Sequence, residues 1–375
     1  MKLKSFEQVK NKALYIHIPF CLSICTYCDF SKLYYKKEWV QKYLQALKQE
    51  MLQNMVQETI DTIYIGGGTP SSLDEEDLET LLKMIKPYAK NVLEYSIELN
   101  PETMNINKLK LLKKYGVTRL SIGVQTFNEK ILKKINRQHS NQQVFDLINQ
   151  ARLLGFEDIS IDLMYNLPNQ TIQDIQNDLK LVKELNLKHI SYYSLILEEH
   201  TILYNQGYTS MSDEEEYECN CLIINELEKM GLKRYEISNF AYKGYESLHN
   251  LVYWHHYDYY GFGLGAHGFI NHKRYYNTRK LTDYFNGLFK IYEEELTLTD
   301  LMFETIMLGL RLTQGINIKQ FDLEYQVNLL KIYDNPIQKY INQKMLMIEN
   351  GYLKATPLGL DFLNDILVDI MSNDN

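Results

Sequence analysis

Three cysteines, Cys21, Cys25 and Cys28, fall within eight residues at C-x3-C-x2-C spacing. The apolar run Leu14-Tyr15-Ile16-His17-Ile18 precedes them and reads as a strand, so the thiols sit on the loop leaving its C-terminal end. Thiolates select soft metals, above all zinc and iron–sulfur clusters. Structural zinc usually takes four ligands, commonly as two separated pairs, and no second C-x2-C is present. A [4Fe–4S] cluster with three protein ligands and one open iron fits the spacing better. A zinc site completed by a nearby His or Asp is the alternative, and three buried free cysteines are the plainest one.

The elements that must position this loop alternate strand and helix across residues 13–200. Strand candidates begin near Ala13, Thr62, Leu93, Arg119, Asp158 and His189. One helical pattern puts Val40, Tyr43, Leu44, Leu47, Met51, Met55 and Val56 on a single face. A second carries Leu78, Leu81, Leu82 and Ile85, with Ser72 and Glu75 spaced as a capping box. Six βα units imply a parallel sheet with right-handed crossovers, too few for an eightfold barrel. The expected core is therefore a curved, partial (β/α)6 barrel after a lead-in of residues 1–12. Polar and glycine signals sit at the strand ends: the cysteines, Gly66-Gly67-Gly68-Thr69-Pro70, Glu98-Leu-Asn100-Pro101, Gly123-Val-Gln125, Asp162 and Tyr193-Ser194. That rim carries the active site in βα barrels. The glycine run lacks the Walker lysine and the G-x-G-x-x-G spacing, which leaves close approach of a ligand or a tight turn before a helix.

The cysteine spacing, with Tyr27 before its third cysteine, resembles the radical S-adenosylmethionine (SAM) superfamily. The stretch Leu14-Tyr-Ile-His-Ile-Pro-Phe-Cys21 resembles the branch holding oxygen-independent coproporphyrinogen III dehydrogenase and the HemW heme chaperones, and the resemblance covers nearly the whole chain. It implies a [4Fe–4S] cluster on Cys21, Cys25 and Cys28 with SAM at the open iron. It places Tyr15, Tyr27, Gly67, Gly68, Thr69 and Glu98 near SAM, and matches Gln125, Arg137 and Asp162 to positions that surround a second SAM in the dehydrogenase. Each of these is by itself more often a salt-bridged or hydrogen-bonded structural group.

Beyond Glu198 the alternation stops, and residues 201–290 read as an α+β extension. Residues 213–230 form a helical pattern in which Cys221 aligns with Tyr217 and Ile224 on an apolar face. Cys221 is therefore read as a packing residue, and neither it nor Cys219 as a cluster ligand. Then comes His249-Asn250-Leu-Val-Tyr253-Trp254. Histidine is the commonest protein ligand of heme iron, and the two aromatics offer flat faces to a porphyrin. Composition alone favours a half-buried histidine and two core aromatics. The string H-N-x-x-Y-W resembles the heme-binding motif of the HemW family, which implies an iron-linked His249 with Asn250, Tyr253 and Trp254 beside the heme. His255 and His256 are alternates, and His267 reads as structural. Residues 291–375 are mainly helical, with apolar stripes through Met302, Ile306, Leu310, Leu329, Leu330 and Ile341. A hairpin at 351–359 gives them a winged-helix-like end, which resembles the C-terminal domain of this family.

The dehydrogenase has a fourth cysteine two residues after the third, where this chain has Phe30, and an N-terminal extension where this chain has 20 residues before Cys21. The resemblance therefore implies a heme chaperone that passes heme to an acceptor hemoprotein. The radical SAM dehydrogenase is the alternative, and a zinc-stabilised binding protein a third reading. A net charge of −8 with no basic block argues against nucleic acid. No apolar run approaches the roughly 18 residues of a spanning helix, and the charged N-terminus does not read as a signal peptide. Five cysteines without a disulfide pattern point to a reducing compartment, so a cytoplasmic protein is expected. The family-level acceptor is a membrane-bound respiratory hemoprotein, and a homodimer is compatible with the reading.

Overall fold

The computed structural model describes residues 4–55 and 59–372. All six expected strands form: β1 (Lys12–Ile18), β2 (Ile60–Gly67), β3 (Glu94–Leu99), β4 (Arg119–Gln125), β5 (Asp158–Tyr165) and β6 (His189–Ser194). They pair in parallel in chain order. Every residue of β4 is buried, as expected of a parallel strand covered on both faces. Its two faces differ: Leu120, Ile122 and Val124 join the main apolar core, while Arg119, Ser121, Gly123 and Gln125 line a central lumen. Strand geometry sends alternate side chains to opposite faces, so one strand serves both.

The helices cover the apolar face. Helix α1 (Lys37–Asn54) buries Val40, Tyr43, Leu44, Leu47 and Met51, while Met55 caps its end and Val56 lies outside the described residues. Helix α2 (Glu75–Ile85) is capped by Asp74, which accepts the Asp77 N–H. The expected capping box on Ser72 and Glu75 does not form. Ser72 lies in a preceding 3-10 turn (Pro70–Ser72), and its hydroxyl donates to the Phe20 carbonyl at 3.0 Å. Helices α3 (Ile106–Lys114), α4 (Asn141–Leu153) and α5 (Ile172–Leu185) complete the layer.

The sheet does not stop where the βα alternation stops. Strands β7 (Lys233–Arg234), β8 (Asn239–Ala241), β9 (Tyr259–Phe262), β10 (His267–Ile270), β11 (Lys273–Asn277) and β12 (Lys290–Glu295) extend both edges. The order is β12-β11-β10-β9-β1-β2-β3-β4-β5-β6-β8-β7, twelve strands in an open sheet. Strand β9 runs parallel to β1, with Tyr15 opposite Gly261. Residues 233–295 thus supply both flanks of the main sheet, past the boundary at 290 that the sequence suggested. Helix α6 (Asp213–Lys229) packs through Cys219, Ile223 and Leu227. Tyr217 is exposed and Cys221 only half-buried, so the packing cysteine is Cys219 and not Cys221.

A second core, including Phe321, Leu329, Leu353 and Ile366, organises the C-terminal region. There helices surround an antiparallel sheet of β13 (Ile316–Asn317), β14 (Leu346–Glu349) and β15 (Tyr352–Ala355). The β14–β15 hairpin turns through Asn350 and Gly351, both at positive φ (51° and 81°), as a tight hairpin turn requires. The fold is the mixed α/β core with a helical, winged C-terminal region that the sequence implied.

Candidate functional site

The C-terminal ends of the parallel strands enclose a cavity of about 300 Å³. The cysteine loop closes its mouth. Phe20–Cys21 pairs in parallel with Leu33–Tyr34, and the Leu33 N–H donates to Pro19 O at 2.7 Å, pinching the base of the loop. Outside contacts hold the loop down: Thr26 N–H donates to Ile135 O (3.2 Å), and Leu203 N–H donates to Thr26 O (2.8 Å). Cys21, Cys25 and Cys28 all line the cavity. Phe30 sits at its mouth with 69% of its surface exposed.

The thiols suit a cluster. Among the described residues no three His, Cys, Asp or Glu side chains converge on one ion. The three thiols stand instead around a shared space, as ligands of separate irons must. Thr69 donates to Cys21 Sγ at 3.5 Å, and Arg137 Nη1 donates to Cys25 Sγ at 3.9 Å. Burial pushes the Cys21 thiol up to about 11 and raises that of Cys28. The positive charge of a bound metal reverses that balance and deprotonates the thiols it takes.

The wall beside them suits a zwitterionic cofactor. A Cβ on Gly68 would lie 2.7 Å from the Pro19 carbonyl carbon and 3.0 Å from Cys21 Sγ, so only glycine passes there. Gly67 has φ 118° and donates its N–H to Glu98 Oε2 at 3.0 Å. Glu98 Oε1 accepts the Tyr64 hydroxyl at 2.9 Å. Burial pushes the Glu98 carboxyl up to about 7, with Asp162 adding repulsion, and burial raises Asp162 itself. Ser121 donates to Asp162 at 3.0 Å. Arg137 is buried, donates Nη2 to Gly123 O, and keeps an Nε with no partner among the described residues. Gln125 adopts φ 69° where the β4–β5 register shifts, and its Oε1 accepts from Tyr193 at 3.5 Å. Two buried acids held towards neutrality call for a cation, and an unpartnered guanidinium N–H calls for an acceptor. A ligand carrying a sulfonium, an ammonium and a carboxylate meets both needs.

Tyr27, Gly67, Gly68, Thr69, Glu98, Gln125, Arg137 and Asp162 all reach this cavity, and Tyr15 does not. The Tyr15 hydroxyl shares a hydrogen bond with His17 Nδ1 (2.9 Å), and its ring lies 6.2 Å from that of Tyr64. It backs the wall without lining it. Sequence reasoning missed Tyr64, Arg119, Ser121, His189 and Ser191, which also line the cavity. Their signal is the period-two alternation along β2, β4 and β6, which carry Tyr64, then Arg119 and Ser121, then His189 and Ser191.

The floor is helix α7 (Leu248–Trp254). Glu94, buried at the start of β3, accepts the Ser247 hydroxyl (3.2 Å) and the Leu248 and His249 N–H groups (3.0 and 3.1 Å). This cap turns the motif residues in different directions. Asn250 faces the cavity. Trp254 and His255 line another cavity of about 540 Å³, shared with Phe6 and Leu312. His249 has no exposed surface: Nδ1 shares a hydrogen bond with Thr62 Oγ1 (2.9 Å) and Nε2 with the Tyr253 hydroxyl (2.8 Å). The expected iron-facing imidazole is therefore engaged at both nitrogens here. His256 pairs with Glu304 at 3.1 Å, and the exposed His267 lies against Tyr276 at 5.3 Å between ring centres.

A model of the Radical SAM superfamily matches residues 15–182, and one of the HemN C-terminal domain matches residues 296–362. The chain is 42% identical over 370 residues to the heme chaperone HemW of Bacillus subtilis strain 168, covering 95% of this chain and 98% of that one. It is 32% identical over 368 residues to the heme chaperone HemW of Escherichia coli strain K12, covering 95% and 97%. The chain belongs to the HemW family of the radical SAM superfamily.

Its fold also matches the solved structure of HemN, a coproporphyrinogen III oxidase from Escherichia coli described as a radical SAM enzyme. The TM-score is 0.84 at 22% identity, covering 96% of this chain and 90% of that one. Radical SAM membership implies a [4Fe–4S] cluster and SAM, and the thiols, glycines and paired acids of this HemW-family chain fit both. Cys21, Cys25 and Cys28 would hold the cluster, which would supply one-electron chemistry to SAM when both are bound. No helix among the described residues is long and apolar enough to cross a membrane.

Proposed function

We propose that the protein is a heme chaperone that binds heme, a [4Fe–4S] cluster and SAM and hands heme to an acceptor hemoprotein. One observation carries the reading: the cavity lined by Cys21, Cys25 and Cys28 is also lined by Asn250 of the H-N-x-x-Y-W helix. Cys21, Cys25 and Cys28 hold the cluster. Tyr27, Gly67, Gly68, Thr69 and Glu98 form the SAM wall, with Tyr15 behind it and Gln125, Arg137 and Asp162 opposite. His249 binds the iron once the Tyr253 hydroxyl leaves Nε2, with Asn250, Tyr253 and Trp254 beside the porphyrin. Burial pushes the His249 imidazole down to about 3, which keeps it in the neutral form a metal takes. The acceptor is a membrane-bound respiratory hemoprotein, the chaperone works in the cytoplasm, and a homodimer is one form of the transfer state.

A second reading, oxidative decarboxylation of coproporphyrinogen III, is kept alive by Gln125, Arg137 and Asp162 all reaching the cavity, although these residues suit both readings. Phe30 in place of a fourth cysteine, with the HemW relatives, weighs against it. The test uses anaerobically reconstituted protein. Cys28→Ala should lose the cluster and keep heme binding, and His249→Ala should keep the cluster and weaken heme binding. A His249→Ala protein that binds heme as the wild type does would remove His249 as the ligand.

A further inference from the structure

The His249 ring does more than meet its two hydrogen-bond partners. It stacks on the Tyr64 ring at 5.1 Å and 26°. Tyr64 is the residue whose hydroxyl donates to Glu98 Oε1 at 2.9 Å, on the carboxylate whose other oxygen accepts the Gly67 N–H. An unbroken contact path thus runs from the motif helix to the SAM wall: Glu94 caps α7, α7 places His249, His249 backs Tyr64, and Tyr64 aims Glu98. Stacked rings restrict rotation, and a hydroxyl held in one place donates to one oxygen.

We propose that His249 is a positioning residue of the SAM cavity, acting through Tyr64 on Glu98. Heme and SAM are then linked through the same ring. Drawing the imidazole onto an iron takes it off Tyr64, so heme lowers the affinity for SAM, and SAM lowers the affinity for heme by the same factor. The linkage rests on the proposed heme reading; the positioning role rests only on the SAM cavity.

The test is a double-mutant cycle on anaerobically cluster-loaded protein, with SAM as the only added ligand and its Kd read by equilibrium dialysis. Tyr64→Phe, which removes a hydrogen bond to a charged group, should weaken SAM about tenfold. His249→Ala should weaken it about fivefold in the wild type and not at all in the Tyr64→Phe background. Losing the Tyr64 donor disfavours the charged carboxylate, so both variants should move the pH midpoint of SAM affinity upward. Unchanged SAM affinity in His249→Ala, or effects that multiply in the double variant, would overturn the proposal. Should His249→Ala not fold, Tyr253→Phe frees Nε2 while leaving the ring and the Glu94 cap. It should weaken SAM by about twofold to threefold, and an unchanged value would also overturn it. Wild-type protein that binds no SAM would sink the cofactor reading itself. Heme titrated with and without SAM reads the linkage: equal affinities would remove it.

Discussion

The rim and the floor of the lumen are made by the same strands and behave oppositely. Glu94 and Glu98 lie four residues apart on β3 and so point to the same face. Glu94 at the floor accepts three hydrogen bonds from the α7 cap and a fourth from the Ser96 hydroxyl. Around it Arg119 pairs with Asp158 at 2.7 Å, and His189 with Ser160 and Tyr235 at 2.7 and 2.9 Å. Glu98 at the rim is pushed up to about 7 by burial and faces Asp162, itself raised. The floor is a satisfied network and the rim a set of unmet needs. Position along the strand, more than residue type, separates scaffold from site.

The largest effect is at the rim: Cys28→Ala should lose the cluster's visible absorbance and acid-labile sulfide while melting with the apo wild type. A retained cluster would remove Cys28 as a ligand. At the floor, Glu94→Ala removes the acceptor of four hydrogen bonds, three from the α7 cap and one from the Ser96 hydroxyl, and should cost about 3 kcal/mol in urea denaturation. An unchanged midpoint would mean that the cap is not structural. At the rim Glu98→Gln should do the reverse in apo protein. The folded carboxyl titrates near 7, above its unfolded value of 4.5, so its contribution is whole below pH 4.5 and is lost as pH rises through about 7. Wild-type apo protein should therefore lose about 3 kcal/mol across that window relative to Glu98→Gln, read as Tm against pH, and parallel profiles would contradict the raised pKa. The smallest effect lies outside the lumen: Asp74→Ala should cost about 1 kcal/mol as a lost helix cap, whereas Ser72→Ala would cost as much only if Ser72 capped α2.

Much of the rim was legible in the sequence. Strand starts read correctly because apolar runs are bounded by glycine, proline and polar breakers, and the cysteines and the Gly66–Thr69 turn sit at those breaks. Arg119 and Ser121 were equally legible and went unread: R-L-S-I-G-V-Q over β4 is a period-two pattern that sends them inward with Gly123 and Gln125. Strand β9 was hidden because Tyr259-Tyr260-Gly261-Phe262 is short and glycine-broken, and it pairs with a strand some 246 residues earlier, Ala13 opposite Tyr259. The engagement of His249 with Tyr253 follows from their spacing of four on a helix. Its burial does not, because the cap that turns α7 comes from Glu94, 155 residues away in sequence at the His249 N–H. Cys219 and Cys221 show the same limit, since the apolar stripe through Tyr217 was offset from the face that packs.

The measurement that tests the central claim most directly is anaerobic reconstitution of the cluster, followed by separate titrations with heme and with coproporphyrinogen III plus SAM and a reductant. A heme chaperone should bind heme stoichiometrically and leave the porphyrinogen propionates intact. Conversion of coproporphyrinogen III to the divinyl product would contradict the account and make Phe30 a tolerated change in a working dehydrogenase.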